Sequence, residues 1–258
     1  MSTAANVRRS AGLVVCFATA LAHAAAPRKL SVAAAADLQF ALPDLAQQFR
    51  QAHPDIDLST AFGSSGNFFA QIGNQAPFDV FLSADIDYPR RLVESKLAVA
   101  DSLFAYGTGH LVLWVPKSSP IDVAKLKWQS LEAASVKHVA IANPQHAPYG
   151  RAAEAALRKT GIYDRVASKL VLGENIAQTF QFAQSGAAEI GIVAMALVVA
   201  PTARDQGRYW EVPQDSYPKL EQAGVILTHA ADPSDARMFL EFLKSDSARR
   251  TLRRYGFY

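Results

Sequence analysis

The sequence predicts an α/β protein with a mostly parallel sheet, and three observations carry that reading. Short apolar runs alternate with segments whose apolar residues recur at helical spacing. A polar turn follows four of those runs: Ala36-Asp37, Phe62-Gly63-Ser64-Ser65-Gly66, Asn143 to Gly150, and Gly173-Glu174-Asn175-Ile176. No internal repeat of solenoid period is present, which removes the stacked architectures.

Leu30 to Ala36 is a continuous apolar run and reads as a strand buried on both faces. Leu38, Leu42, Leu45 and Phe49 follow at helical spacing, with Pro43 opening the main helix and residues 37–42 as its lead-in turn. Asp55 to Phe62 is the second strand, Asn67 to Gly73 a short helix, and Asp79 to Ser83 the third strand. Asp85 or Asp87 then caps a helix from Tyr88 to Lys96. After the glycine-rich stretch Ala105 to Gly109, His110 to Val115 alternates as a strand and residues 116–120 turn. Strands are predicted over Val139–Ala142, Lys169–Leu172, Ile190–Val193 and Val225–Thr228, and helices over Arg151–Thr160 and Ala177–Ser185. One helical region, Asp235 to Tyr255, closes the chain.

The first 24 residues read as a cleaved export signal rather than as fold. Arg8-Arg9 precedes an apolar run, Ala11 to Leu21, too short to span a bilayer, and Ala22-His23-Ala24 has the small-x-small cleavage pattern. Val15 before Cys16 disfavours a lipid anchor, because a small residue is wanted there. Removing these residues takes away the one cysteine, two arginines and no acid, leaving 24 basic and 23 acidic residues. A near-neutral, cysteine-free exported chain has no disulfide framework and relies on its cores. The near balance also argues against nucleic acid, despite Arg249, Arg250, Arg253 and Arg254 near the end, which read as a solvated helix face.

Catalysis finds little support. Gly63-Ser64-Ser65-Gly66 is not the G-x-S-x-G elbow of serine hydrolases, since glycine directly follows the second serine. His53, His110, His138, His146 and His229 are scattered, without the spacing of a metal site. The Gly63–Gly66 loop suggests a different chemistry. A loop feeding a helix start exposes unpaired N–H groups at the positive end of the helix dipole. With two hydroxyls added, it holds an anion without lysine or arginine. Several such turns at strand C-termini, where α/β sheets bind ligands, point to an oxyanion receptor.

The residues then become familiar. Ala34-Ala35-Ala36-Asp37-Leu38, Phe62 to Gly66, Ala76 to Asp85, Leu111-Val112-Leu113-Trp114, Asn143 to Gly150 and Gly191-Ile192-Val193-Ala194 occur in one order over nearly the whole mature chain. In these segments the sequence resembles the periplasmic molybdate-binding proteins of ABC transporters. The resemblance implies a two-lobed periplasmic-binding-protein fold (type II), each lobe a mixed, mostly parallel sheet flanked by helices. Lobe I comprises residues 27–105 and 218–258, lobe II residues 106–217. It implies a monomeric receptor, not an enzyme, without a cofactor, that carries molybdate or tungstate to a membrane permease.

The resemblance also implies the ligand set. Ala36 and Asp37 contribute the turn after the first strand, Ser65 a hydroxyl, Tyr149 a phenol and Ile176 a backbone amide. A dianion offers acceptors only, so each of these groups has to donate. Asp37 is awkward beside a dianion. The preferred expectation is that its carboxylate caps the following helix and only its N–H faces the ligand. The alternative is that Asp37 shifts the preference toward a protonated anion, such as phosphate, or a cation complex. Sulfate or phosphate receptors share the architecture and remain open on the residues alone.

Overall fold

Residues 26–258 are described by the computed structural model; the expected export signal, residues 1–24, lies outside them. The leading apolar run forms β1 (Arg28–Ala35), and a 3-10 turn over Ala36–Leu38 leads into helix α1 (Ala41–Ala52). Ala41, Leu42, Leu45 and Phe49 are the buried stripe of α1. Pro43 sits inside its first turn instead of opening it, a position where the missing N–H has no intrahelical acceptor to lose. β2 (Ile56–Gly63) feeds α2 (Ser65–Gly73), and β3 (Val80–Ser83) feeds α3 (Asp87–Glu94). Asp85 is the turn residue before α3, its Oδ1 accepting from the N–H of Asp87 at 3.0 Å. β4 (Phe104–Gly109) ends this first half.

A second set of elements follows the same plan. β5 (Leu111–Pro116) and α4 (Val123–Leu126) precede β6 (Val139–Ala142), α5 (Pro148–Lys159) and α6 (Tyr163–Val166). β7 (Leu170–Gly173), α7 (Ile176–Ser185), β8 (Ile190–Ala194), α8 (Met195–Val198) and β9 (Gly207–Glu211) complete it. The chain then returns through β10 (Leu220–Ile226), α9 (Pro233–Leu243) and α10 (Asp246–Arg254). The predicted single closing helix is broken because Ser245 accepts from the N–H of Ala248 at 3.2 Å and starts α10 afresh.

The strands make two five-stranded sheets, ordered β2-β1-β3-β10-β4 and β7-β6-β8-β5-β9. In the first, β1 runs parallel to β2 and β3, and β10 lies antiparallel between β3 and β4. In the second, β6 runs parallel to β7 and β8, and β5 lies antiparallel between β8 and β9. The fold is therefore α/β and two-lobed, with a mixed sheet at the centre of each lobe. The chain passes between sheets at His110 and again over residues 212–219. The expected first division, between 105 and 106, falls inside β4. No strand is predicted in that glycine-rich stretch from sequence, yet it pairs with β10, and Gly107 packs against Phe257.

The closing helices pack back on lobe I. Phe239 meets Phe49 edge-on, ring centroids 5.3 Å apart, and buried Asp235 takes a bidentate pair of bonds from Arg28 at 2.7 and 2.8 Å. Trp114 is a buried core residue, while Trp128 and Trp210 pack edge-on against each other. Among the described residues, no helix is long and apolar enough to cross a membrane.

Candidate functional site

The C-terminal ends of β1, β2 and β3 face those of β6 and β7 across the gap between the sheets. There the structure brings Ala36, Asp37, Ser65, Tyr149 and Ile176 around one cavity, with Ser64, Ala84 and Pro148 beside them. About 200 Å³ is free of protein atoms, part of it open to solvent. The part enclosed by protein is about 10 Å³, far below the roughly 300–1,000 Å³ of pockets that hold drug-sized ligands, so the guest is small. The lining residues include no lysine, arginine or histidine.

Helix starts supply its donors. Ser65 and Ile176 are the first residues of α2 and α7, so their N–H groups have no acceptor within the helix. Asn175 caps α7 through Oδ1, which accepts from Ala177 and Gln178, both at 3.0 Å, and leaves the Ile176 N–H free of that cap. Ser65 is buried, and its Oγ accepts from the Ala84 N–H at 3.0 Å, so the hydroxyl hydrogen remains to be donated elsewhere. Ser64, read in sequence as a turn residue, caps α2 by accepting from the Asn67 N–H at 3.4 Å.

Asp37 does not cap the helix. It lies in the 3-10 turn, no side-chain bond caps α1, and its carboxylate is turned inward, 1% exposed. Oδ2 accepts from the Tyr149 hydroxyl at 2.9 Å and from Gln222 Nε2. The capping expectation is thus corrected. The 3-10 turn separates Asp37 from the start of α1 at Ala41, and a buried phenol and amide take up its carboxylate instead. Burial raises the Asp37 carboxyl to about 6, against the restraint of the bonds from Gln222 and Tyr149. Burial likewise pushes the Tyr149 hydroxyl well above the ordinary tyrosine range, and the neighbouring Asp37 adds to it.

Contacts across the cavity rim join the lobes. The Gly66 N–H donates to the His146 carbonyl at 2.9 Å, and Ser64 Oγ lies 2.9 Å from His146 Nδ1. Asn67 Nδ2 donates to Glu174 Oε1 at 2.6 Å. On the other flank Arg151 pairs with Asp85 at 2.8 Å and donates to the Tyr88 hydroxyl at 3.0 Å. The interlobe roles of His146, Arg151 and Gly66 and the buried role of Gln222 were not read from the sequence. Gln222 had a usable signal: with Glu221 it is one of two polar residues in the otherwise small or apolar stretch Leu220 to Leu227. The predicted strand, Val225–Thr228, begins after it, whereas β10 starts at Leu220.

Comparison with known proteins agrees with this geometry. The profile of the bacterial extracellular solute-binding protein family matches residues 30–258. The molybdate-binding protein ModA of Azotobacter vinelandii is 39% identical over 253 residues, covering 97% of this chain and 95% of that protein. The Rhodobacter capsulatus protein of the same name is 42% identical over 199 residues, covering 76% of this chain and 75% of its own. The solved structure of the Azotobacter vinelandii periplasmic molybdate-binding protein superposes with a TM-score of 0.83 at 33% identity, over 89% of this chain and 98% of that one.

Proposed function

The chain belongs to the bacterial extracellular solute-binding proteins, and from that premise we propose that it captures molybdate or tungstate outside the cytoplasm and delivers it to an ABC permease. The observation that carries this reading is the small interlobe cavity ringed by uncharged donors from both sheets and by no cationic side chain. Backbone N–H groups of Ser65, Ile176 and the Ala36-Asp37 turn, with the Ser65 hydroxyl, surround a guest that has only acceptors. Each bond to a charged group contributes about 1.5–3 kcal/mol, so a handful supports tight binding after ordering costs. Size then selects: a smaller oxyanion in a cavity fitted to a larger one is left with long hydrogen bonds. The relatives named molybdate-binding support the choice of anion.

The function is closure rather than catalysis. The lobes swing about the crossings at residues 110 and 212–219, the anion bridges them, and the closed form docks as a monomer on the permease in the periplasm. A thermal-shift panel of molybdate, tungstate, sulfate and phosphate tests this. Anion at about a hundred times its dissociation constant adds roughly 2.7 kcal/mol of stability. Stabilisation by phosphate or sulfate without molybdate or tungstate would replace the cargo, and stabilisation by none would end the reading.

A further inference from the structure

Asp37 is the residue that a site made only of neutral donors does not account for. It lines the cavity, and while Oδ2 has two donors, Oδ1 is buried without a hydrogen-bond partner. Which oxygen stays unpaired is set by the groups behind it. The Tyr106 hydroxyl, whose one hydrogen is shared between Gln222 Oε1 at 2.9 Å and the Ser83 carbonyl at 3.1 Å, favours the amide orientation in which Nε2 points at Asp37 Oδ2 and, at 3.1 Å, at the Tyr149 oxygen. Tyr149 then donates its own hydrogen to Oδ2. The side-chain hydrogens from behind all go to one oxygen, and the other groups that favour the ionised form are the backbone N–H groups of Asp37 and Leu38. Oδ1 is left to the cavity side, where an oxyanion brings acceptors. Two acceptors in contact without a hydrogen between them repel, and more so when both are charged.

Resting on the oxyanion reading above, we infer that capture is proton-coupled: each anion is bound with one proton, carried on Asp37 Oδ1 and donated to an anion oxygen. For a fully deprotonated anion the proton is taken from solvent. A hydrogen oxyanion brings it along, and the closed complex holds the same single O–H···O bridge. No bond other than O–H is made or broken.

The surroundings favour the protonated form. Facing Asp37 are Tyr149 from α5 and Tyr106 from β4, both hydroxyls kept neutral by burial and by Asp37 itself. Gln222 from β10, Ser64 and Ser65 at the head of α2, and Ile176 at the head of α7 carry no charge. No cationic side chain lines the cavity to hold the carboxylate ionised. Burial already raises its pKa to about 6, and a neighbouring anion moves it further in the same direction.

Titration calorimetry of the wild-type protein with molybdate decides the matter, run between pH 6 and 8.5 in two buffers of different ionisation enthalpy. The expected result is uptake of about one proton per anion at pH 8, with affinity falling about tenfold per pH unit above neutrality. Hydrogen phosphate, if bound, shows uptake near zero at the same pH, because it supplies the proton. Asp37→Asn places an amide N–H where the acid O–H would stand. It is expected to lose both proton uptake and pH slope and to bind molybdate more tightly than wild type at pH 8.5. Measurable molybdate binding with no uptake and no pH slope overturns the inference while leaving the oxyanion reading intact. Absence of binding by every oxyanion at every pH removes both. The wild-type calorimetry stands even if the variant fails to fold.

Discussion

Gly66 offers a way to perturb closure without touching the anion. It is the second residue of α2, and its N–H donates across the cleft to the His146 carbonyl at 2.9 Å. A Cβ built on Gly66 would lie 2.5 Å from that carbonyl oxygen and 2.9 Å from the His146 Cα, both backbone atoms of the opposite lobe. Ordinary contact begins near 3.4 Å, so Gly66→Ala requires the lobes to part by just under 1 Å at this point. Overpacking of this kind costs about 1–3 kcal/mol. Felt only on closing, it translates to about 5–150-fold weaker anion binding. In the open protein the backbone clash is gone and only the Tyr88 hydroxyl, 2.8 Å away in the same lobe and at the end of a side chain that can shift, has to give, while alanine is a better helix former than glycine. The ligand-free melting temperature of Gly66→Ala is therefore expected to match or exceed that of wild type. Calorimetry with molybdate measures the affinity, and small-angle scattering with saturating anion measures the residual opening. Wild-type affinity together with full compaction in this variant would refute the claim that the helix start of lobe I seats against the backbone of lobe II.

Four further outcomes are expected. Ser65→Ala removes a hydroxyl already polarised by the Ala84 N–H and should weaken molybdate binding by about 1.5–3 kcal/mol, read by calorimetry. Gln222→Leu takes one of two donors from Asp37 Oδ2, which keeps the Tyr149 hydroxyl, and leaves the Tyr106 hydroxyl with the Ser83 carbonyl alone. At about 1–3 kcal/mol, and roughly 2–4 °C per kcal/mol for a chain of this size, calorimetric scanning should show a melting temperature several degrees lower. Arg151→Met removes a partly exposed interlobe ion pair. It should cost at most about 1 kcal/mol of anion affinity, an effect that fades as salt is raised. Asp37 makes stability pH-dependent: its pKa in the closed protein, about 6, lies above the ordinary 3.8, so its contribution is fully present below pH 3.8 and lost as pH rises through 6. The difference in unfolding free energy between wild type and Asp37→Asn, measured without anion, should change across that window by an amount on the order of 3 kcal/mol.

The layered α/β plan was legible because each parallel strand is an unbroken apolar run, and the turns after β1, β2, β6 and β7 carried the cavity residues in plain view. Four features were not legible, for separate physical reasons. β4 is glycine-rich and half-exposed, so its pairing with β10 comes from tertiary context rather than from any pattern of its own. Gln222 is fully buried in β10 because its partners, Asp37, Tyr106 and Tyr149, arrive from 73 to 185 residues away in sequence. Asp37 was read as a local cap because local bonding is all that a sequence window shows; its actual donors come from the other lobe and the far end of the chain. His146 looked like one of several scattered histidines, and only the meeting of two helix starts gives it Ser64 and the Gly66 N–H as neighbours.

The absence of cations from the cavity lining shifts the discriminating step onto closure. Each lobe alone presents about half of the donors, so neither holds an anion well while the cleft is open. The rim contacts that accompany closing are individually weak. Asn67–Glu174 and Arg151–Asp85 are solvent-accessible, and such pairs contribute about 0–1 kcal/mol each. The Gly66–His146 and Ser64–His146 bonds add about 0.5–1.5 kcal/mol each. Joining the lobes offsets these gains by ordering rim side chains and both crossings. Closure without cargo is then close to balanced, and bonds from both lobes to a charged guest, about 1.5–3 kcal/mol apiece, decide it. A rim made much stronger, for example by burying the Arg151–Asp85 pair under an added aromatic residue, would close the cavity regardless of its contents. The closed shape would then no longer report to a permease that an anion is present.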